Sequence, residues 1–214
     1  MSLHVLNHPL GQCSLSHLRS AETPPAEFRH ALRQIVTLLA CEATRDLATR
    51  EVEIETPLCR TTGHVLTQSV ALVPILRAGL GMVDPLLELL PEAQVWHLGI
   101  YRDEVTAQPV EYYSKLPQQH PADVALVLDP MLATAGSATA ALAKLQAWGV
   151  PQSKLLSVIA AREGVERVER EFPNVQIYVG AVDPELNSRK FIVPGLGDAG
   201  DRQFNTGGAT EHIA

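Results

Sequence analysis

Several stretches of this chain are apolar without alternation. Val70–Leu76 (VALVPIL), Val124–Leu128 (VALVL) and residues 154–161 (KLLSVIAA) each read as a strand buried on both faces, because a half-solvated strand would alternate. Residues 94–100 and 175–182 read as two further strands. Between these runs the spacing lengthens to that of helices. Phe28, Leu32, Ile35, Val36 and Leu39 mark a helix that begins at Thr23-Pro24-Pro25, with Thr23 as N-cap, and extends to about Leu47. A second helix covers residues 82–90, with Pro85 in its first turn. A third carries Ala141, Leu142, Leu145 and Trp148 on one face and stops at Gly149, and a fourth covers residues 163–172 with Val165, Val168 and Phe172 inward. Residues 51–57 alternate Val52 and Ile54 with acids, which predicts a strand on a partly solvated sheet, and residues 60–64 read as a turn. Residues 103–117 are polar and turn-rich, with 111–116 as the second arm of a hairpin. The start of the chain, to Pro25, reads as an irregular arm with a short apolar element at residues 4–10.

Strands alternating with helices, and strands apolar throughout, predict an α/β fold with a mostly parallel sheet flanked by helices. The 214 residues, 46% hydrophobic, suit one domain over residues 1–214, with an arm at 1–25 and a core at 26–180. No apolar run approaches the ~20 residues of a membrane span, and the N-terminus lacks a basic region followed by an apolar stretch, so a soluble, cytoplasmic protein with no membrane partner is expected. The net charge of -7 and the absence of a basic block argue against nucleic acid as a partner. Cys13, Cys41 and Cys59 show no CxxC spacing and read as reduced thiols. Eight scattered histidines show no helical metal pair beside a third ligand.

In such sheets a ligand binds past the carboxyl ends of the strands. That edge collects Arg77, Arg102, Asp129 and the loop at residues 134–137. The loop opens a helix, so unpaired N–H groups and the positive end of the helix dipole suit an anion, helped by the hydroxyls of Thr134 and Ser137; an ordinary strand-to-helix turn has similar composition. Asp129 suits sugar hydroxyls, which donate to a carboxylate, while Arg77 and Arg102 suit a second anionic group. Phosphate, diol and second phosphate in a row describe a phosphorylated ribose carrying pyrophosphate. The competing motifs are missing. No lysine follows Ser137 as a P-loop requires, Asp84 stands where a dinucleotide fingerprint needs its third glycine, and Gly136-Ser137-Ala138 is not a nucleophile elbow.

Asp129-Pro130-Met131-Leu132-Ala133-Thr134-Ala135-Gly136-Ser137 resembles the phosphoribosyl pyrophosphate loop of type I phosphoribosyltransferases, and the proline after the aspartate resembles the uracil phosphoribosyltransferase branch. Residues 73–82, Tyr101-Arg102-Asp103-Glu104 and residues 192–201 (IVPGLGDAGD) are similar to that branch too, and weaker similarity runs from His8 to Phe204. The resemblance implies a type I core with a flexible hairpin at 103–117 over the site and a C-terminal base-binding hood at about 181–205. It implies that Arg77 and Arg102 hold the pyrophosphate, and that Asp129, Pro130, Met131, Leu132, Ala133, Thr134, Ala135, Gly136 and Ser137 hold the ribose and 5-phosphate. Ile192, Gly197, Asp198 and Ala199 would form the uracil pocket through backbone groups, with Asp198 also beside the sugar-pyrophosphate or its Mg²⁺. Asp129, Arg102 and Asp198 are thereby the catalytic candidates. Mg²⁺ is implied as cofactor, carried mainly by the substrate pyrophosphate, with GTP as a candidate effector and a homodimer or larger homo-oligomer. The implied reaction makes UMP and diphosphate from uracil and phosphoribosyl pyrophosphate. The alternatives are a non-catalytic sensor of phosphoribosyl pyrophosphate or a nucleotide, and a transferase for another base. Ala135 departs from the family, which usually has a second glycine there. The tail at 206–214 runs past the family's usual end and reads as a flexible extension.

Overall fold

The computed structural model describes residues 2–102, 109–117 and 121–206. In chain order the elements are β1 (Leu3–Val5), α1 (Pro9–Arg19), α2 (Pro25–Ala43), β2 (Thr49–Glu55), β3 (Arg60–Leu66), β4 (Val70–Leu76), a 3-10 turn (Ala78–Met82), α3 (Val83–Leu89), β5 (Gln94–Val95), β6 (Leu98–Arg102) and β7 (Pro109–Ser114). There follow β8 (Val124–Leu128), β9 (Met131–Leu132), α4 (Gly136–Trp148), β10 (Gln152–Ala161), α5 (Arg162–Glu171), β11 (Gln176–Asp183), β12 (Glu185–Leu186), β13 (Ile192–Val193) and α6 (Ala199–Phe204). The main sheet has the order β1-β11-β10-β8-β4-β6-β7, parallel from β1 to β6, with β7 antiparallel at the edge.

The continuous apolar strands are continuous because both sheet faces are covered. Leu72, Leu126, Leu128 and Leu156 point into one core with α2 and α3. Their neighbours Val73, Ala125, Val127 and Leu155 point into a second core with α4 and α5. Each fully buried leucine contributes about 2 kcal/mol relative to exposure. β4 and β8 have the predicted bounds, and α4 closes on Gly149 as expected.

Elsewhere the structure corrects the sequence reading. The first residues are not an irregular arm: β1 adds to the sheet beside β11, and α1 packs on α2. Thr23 is not the N-cap of α2; Pro24 takes that place, and the Thr23 hydroxyl donates to the His17 carbonyl at 2.6 Å. α2 ends at Ala43 rather than near Leu47, where Lys154 of β10 donates to the Ala43 carbonyl at 2.6 Å and pairs with Asp46. The α2 face from Phe28 to Leu39 is buried within this chain. Residues 60–64 are not a turn; they belong to β3, which pairs with β2 in a separate two-stranded ribbon, and the turn lies at residues 56–59. Both faces of that ribbon meet solvent, and β3, unlike β2 with its Val52 and Ile54, carries no apolar alternation to mark it. The strand expected at 94–100 is divided into β5 and β6. Of the expected hairpin, β7 is its second arm, while residues 103–108 lie outside the described residues, as does the tail from 207.

Candidate active site

β4 and β8 are hydrogen-bonded neighbours, so their carboxyl ends lie side by side and place Arg77 and Asp129 at one edge of the sheet. β6 pairs with β4 on the other side and ends at Arg102, whose backbone reaches the same edge; its side chain lies outside the described residues. Arg77 follows a cis Leu76–Arg77 peptide and is exposed, with its guanidinium 3.2 Å from Asp201 of α6. The turn after it is packed tightly, with Gly79 against the Leu128 carbonyl and the Pro74 backbone. The pyrophosphate candidates and the ribose candidate are thus built on one scaffold.

Asp129 is partly buried where β8 gives way to the loop, and its carboxylate accepts the Met131 N–H at 3.3 Å. Burial pushes its pKa up to about 6, against the smaller opposing effect of that hydrogen bond. A carboxylate kept short of solvent and of full compensation favours a ligand that donates hydroxyl hydrogens. Pro130 is buried, and its carbonyl accepts from Val158 and Ile159 of β10 at 3.0 and 3.1 Å. Met131 and Leu132 form β9 beside the same strand, and Ala133 and Thr134 turn the chain toward α4. The first α4 amide to reach a carbonyl is that of Thr139, which bonds Ala135 at 2.8 Å. The amides of Gly136, Ser137 and Ala138 precede it, at the positive end of the helix dipole.

The C-terminal segment closes the opposite side. Asp198 is the N-cap of α6, its side chain accepting the Asp201 N–H at 2.9 Å. Gln203 of α6 donates to the Ala78 carbonyl at 2.8 Å, and Gly200 sits against Ala78, so α6 docks on the turn that carries Arg77. Ile192 is buried in β13, Ala199 is buried at the start of α6, and Gly197 between them is exposed. Three arginines tie this segment to the N-terminal helices. Arg19 forks onto Asp183 at 2.5 and 2.8 Å and donates to the Gly195 carbonyl at 2.8 Å. Arg202 donates to the carbonyls of Leu18, Leu196 and Ser20 and stacks on Phe28, its burial lowering its pKa. Arg29 donates to the Gln203 carbonyl at 2.8 Å.

Residues 5–206 match the family described as uracil phosphoribosyltransferase. The chain belongs to the uracil phosphoribosyltransferase family. It is 53% identical over 203 residues to the uracil phosphoribosyltransferase of Roseiflexus sp. (strain RS-1), covering 95% of this chain and 98% of that one. Identity to the Bacillus cereus (strain B4264) uracil phosphoribosyltransferase is 49% over 205 residues, covering 95% and 98%. A solved structure of a protein from Aquifex aeolicus superposes with a TM-score of 0.90 at 36% identity, covering 95% of this chain and 98% of that chain. The hypoxanthine phosphoribosyltransferase of Trypanosoma cruzi, complexed with IMP, shares the fold at a TM-score of 0.50 and 13% identity, covering 74% of this chain and 75% of its own.

Within this family member, Ala135 is the residue at which the loop between β9 and α4 needs an explanation. It sits at the N-cap of α4 with φ 62 and ψ 8, the left-handed conformation, and is buried. A Cβ in that conformation costs about 1–2 kcal/mol. Ala135→Gly is therefore expected to raise unfolding stability by about 0.5–1 kcal/mol after the entropy of an added glycine is subtracted. Denaturant titration measures this directly: the midpoint should rise at constant slope. A lower midpoint would mean that the left-handed alanine stores no strain.

Asp201, the Arg77 partner, was not among the candidate site residues. Its signal was present in the sequence, because Asp198-Ala199-Gly200-Asp201 has the spacing of a helix cap whose fourth residue is acidic. The Arg19–Asp183 and Arg202 clusters had no such signal, since their partners are far apart in sequence.

Proposed function

We propose that this chain transfers the 5-phosphoribosyl group from phosphoribosyl pyrophosphate to uracil, giving UMP and diphosphate. The observation that carries the reading is the convergence, at one sheet edge, of Asp129, the free amides at the start of α4, Arg77, and the Asp198–α6 segment docked against the Arg77 turn. Residues 134–137 take the 5-phosphate with backbone amides and the hydroxyls of Thr134 and Ser137. Asp129 accepts from the ribose diol, and Arg77 and Arg102 take the pyrophosphate. Ile192, Gly197 and Ala199 line the base, whose alternating C=O and N–H groups suit backbone partners. A base with a donor in place of an acceptor leaves a buried group unmatched, at a cost of ~1–3 kcal/mol.

Among the described residues no group of three or more His, Cys, Asp or Glu is arranged to hold a metal. Asp129, Asp198 and Asp201 offer carboxylate oxygens, which fit Mg²⁺ held chiefly by diphosphate. When bound, that ion neutralises charge on the departing diphosphate. In the transfer, the bond from the anomeric carbon to the pyrophosphate oxygen breaks and one to the base nitrogen forms, while that nitrogen's proton passes to solvent. Positive charge develops on the sugar and negative charge on the diphosphate. The arginines stabilise the second and the Asp129 carboxylate the first.

Residues 1–214 are proposed to work as one catalytic unit, in which the core carries phosphate, ribose and pyrophosphate and the hood carries the base. Exposed Ile54, Leu58, Val65 and Leu66 on the β2–β3 ribbon support a homo-oligomer. Exposed, unpaired Cys13, Cys41 and Cys59 support a reducing compartment such as the cytoplasm. No helix among the described residues is long and apolar enough to cross a membrane.

The test incubates the protein with phosphoribosyl pyrophosphate, Mg²⁺ and each nucleobase in turn, following diphosphate release. Release is expected with uracil alone. Turnover with a purine would change the substrate, and binding of phosphoribosyl pyrophosphate without turnover on any base would make the protein a sensor. Adding GTP to the same assay tests the implied effector.

A further inference from the structure

Behind the phosphate loop lies α5, which the reaction itself does not use. Gly164 presses on the loop so closely that a Cβ there would stand 2.3 Å from the Ala133 carbonyl oxygen and 3.0 Å from that of Leu132. One turn along, Arg167 donates through its terminal guanidinium nitrogen to the Thr134 carbonyl at 3.2 Å, while its Nε donates to Glu171 at 3.0 Å. The Glu171 contact fixes the guanidinium, so it meets the loop in one orientation. The Ala133 and Thr134 carbonyls therefore face α5. A trans peptide sets its C=O and N–H on opposite sides, so the N–H groups of Thr134 and Ala135 point away from α5. The peptide that Arg167 holds is also the one that enters Ala135, whose φ of 62 an L-residue leaves when nothing holds it.

We infer that Arg167 is a positioning residue for the 5-phosphate: it aims the Thr134–Ala135 peptide N–H at the ligand and holds Ala135 in its left-handed conformation. This rests on the reading that residues 134–137 take that phosphate. Arg167 touches no substrate; it acts through the loop backbone. Because Ala135 supplies the tendency to relax, Arg167 matters less when a glycine replaces it.

Calorimetric binding of phosphoribosyl pyrophosphate with Mg²⁺ to the full chain, with steady-state kinetics alongside, tests this on R167A, A135G and the double variant. The Arg167 side chain is about a third exposed, so its removal spares the core. R167A should weaken binding about five- to tenfold, the size of the net contribution of one ordinary hydrogen bond. Its kcat and its KM for uracil should stay within about twofold, and in the A135G background its effect on binding should shrink to about twofold or less. Unchanged affinity in R167A would overturn the inference. So would an equal loss in both backgrounds, which would make Arg167 a distant charge, and so would a joint fall in kcat and both affinities. If the unaltered chain binds no phosphoribosyl pyrophosphate, the phosphate-loop reading falls, and this inference falls with it.

Discussion

Asp129→Asn is expected to lower kcat/KM for phosphoribosyl pyrophosphate by about 10²–10³-fold while making the protein more stable above pH 6. The activity loss follows from replacing charge-assisted hydrogen bonds to two ribose hydroxyls with neutral ones, a loss of about 3–4 kcal/mol in total. The stability gain follows from burial. The folded carboxyl has its pKa raised from 3.8 to about 6, so between those values the folded chain holds a proton that the unfolded chain has released. Native stability therefore falls as pH rises through that window, and above it the ionised, desolvated carboxylate costs at most about 3 kcal/mol. An isosteric amide removes that cost. Denaturation of both proteins at pH 4 and pH 7.5 should show little difference at the lower value and a more stable variant at the higher. In the unaltered chain, kcat/KM should also fall as pH drops through about 6, where the carboxylate takes up its proton, and the Asn variant should lack the Asp129 contribution to that limb. Unchanged activity would remove Asp129 from the ribose, and a stability difference independent of pH would show that the carboxyl is not desolvated.

Gly195→Ala is expected to cost about 2–4 kcal/mol of stability and to raise KM for uracil about tenfold or more. Gly195 has φ 63, and a Cβ there would lie 2.1 Å from the Ile192 carbonyl oxygen, a backbone atom that moves only with the segment proposed to hold the base. Its N–H donates to Asp183 at 2.9 Å and its carbonyl accepts from Arg19 at 2.8 Å, so any shift also disturbs that ion pair. Asp183 is buried, and losing part of its hydrogen bonding leaves a charge without full compensation. KM for phosphoribosyl pyrophosphate should change much less, because the loop proposed to take its 5-phosphate lies on β8, β9 and α4. Steady-state kinetics with each substrate varied in turn makes the comparison. Wild-type KM for uracil would detach the hood from the base.

From the sequence alone came the sheet type, the bounds of β4 and β8, the stop of α4 and the loop with its acid and hydroxyls. These are local signals. A strand covered on both faces has to be apolar throughout, and a strand-to-helix loop at a sheet edge presents amides whatever lies beyond it. Only the tertiary structure decided that β1 joins the sheet, because three residues carry no period of their own. It alone showed β3 as a strand, since that strand, wet on both faces, carries no apolar alternation. The ties of Arg77 to Asp201 and of Arg19 to Asp183 bring together residues with no local relation. The elevated Asp129 pKa depends on the protein packed around the carboxyl, and Ala135 is left-handed because α4 begins there with α5 behind the loop. Burial, charge pairing across the chain and strain held by neighbouring elements arise from packing, and residue order alone does not specify them.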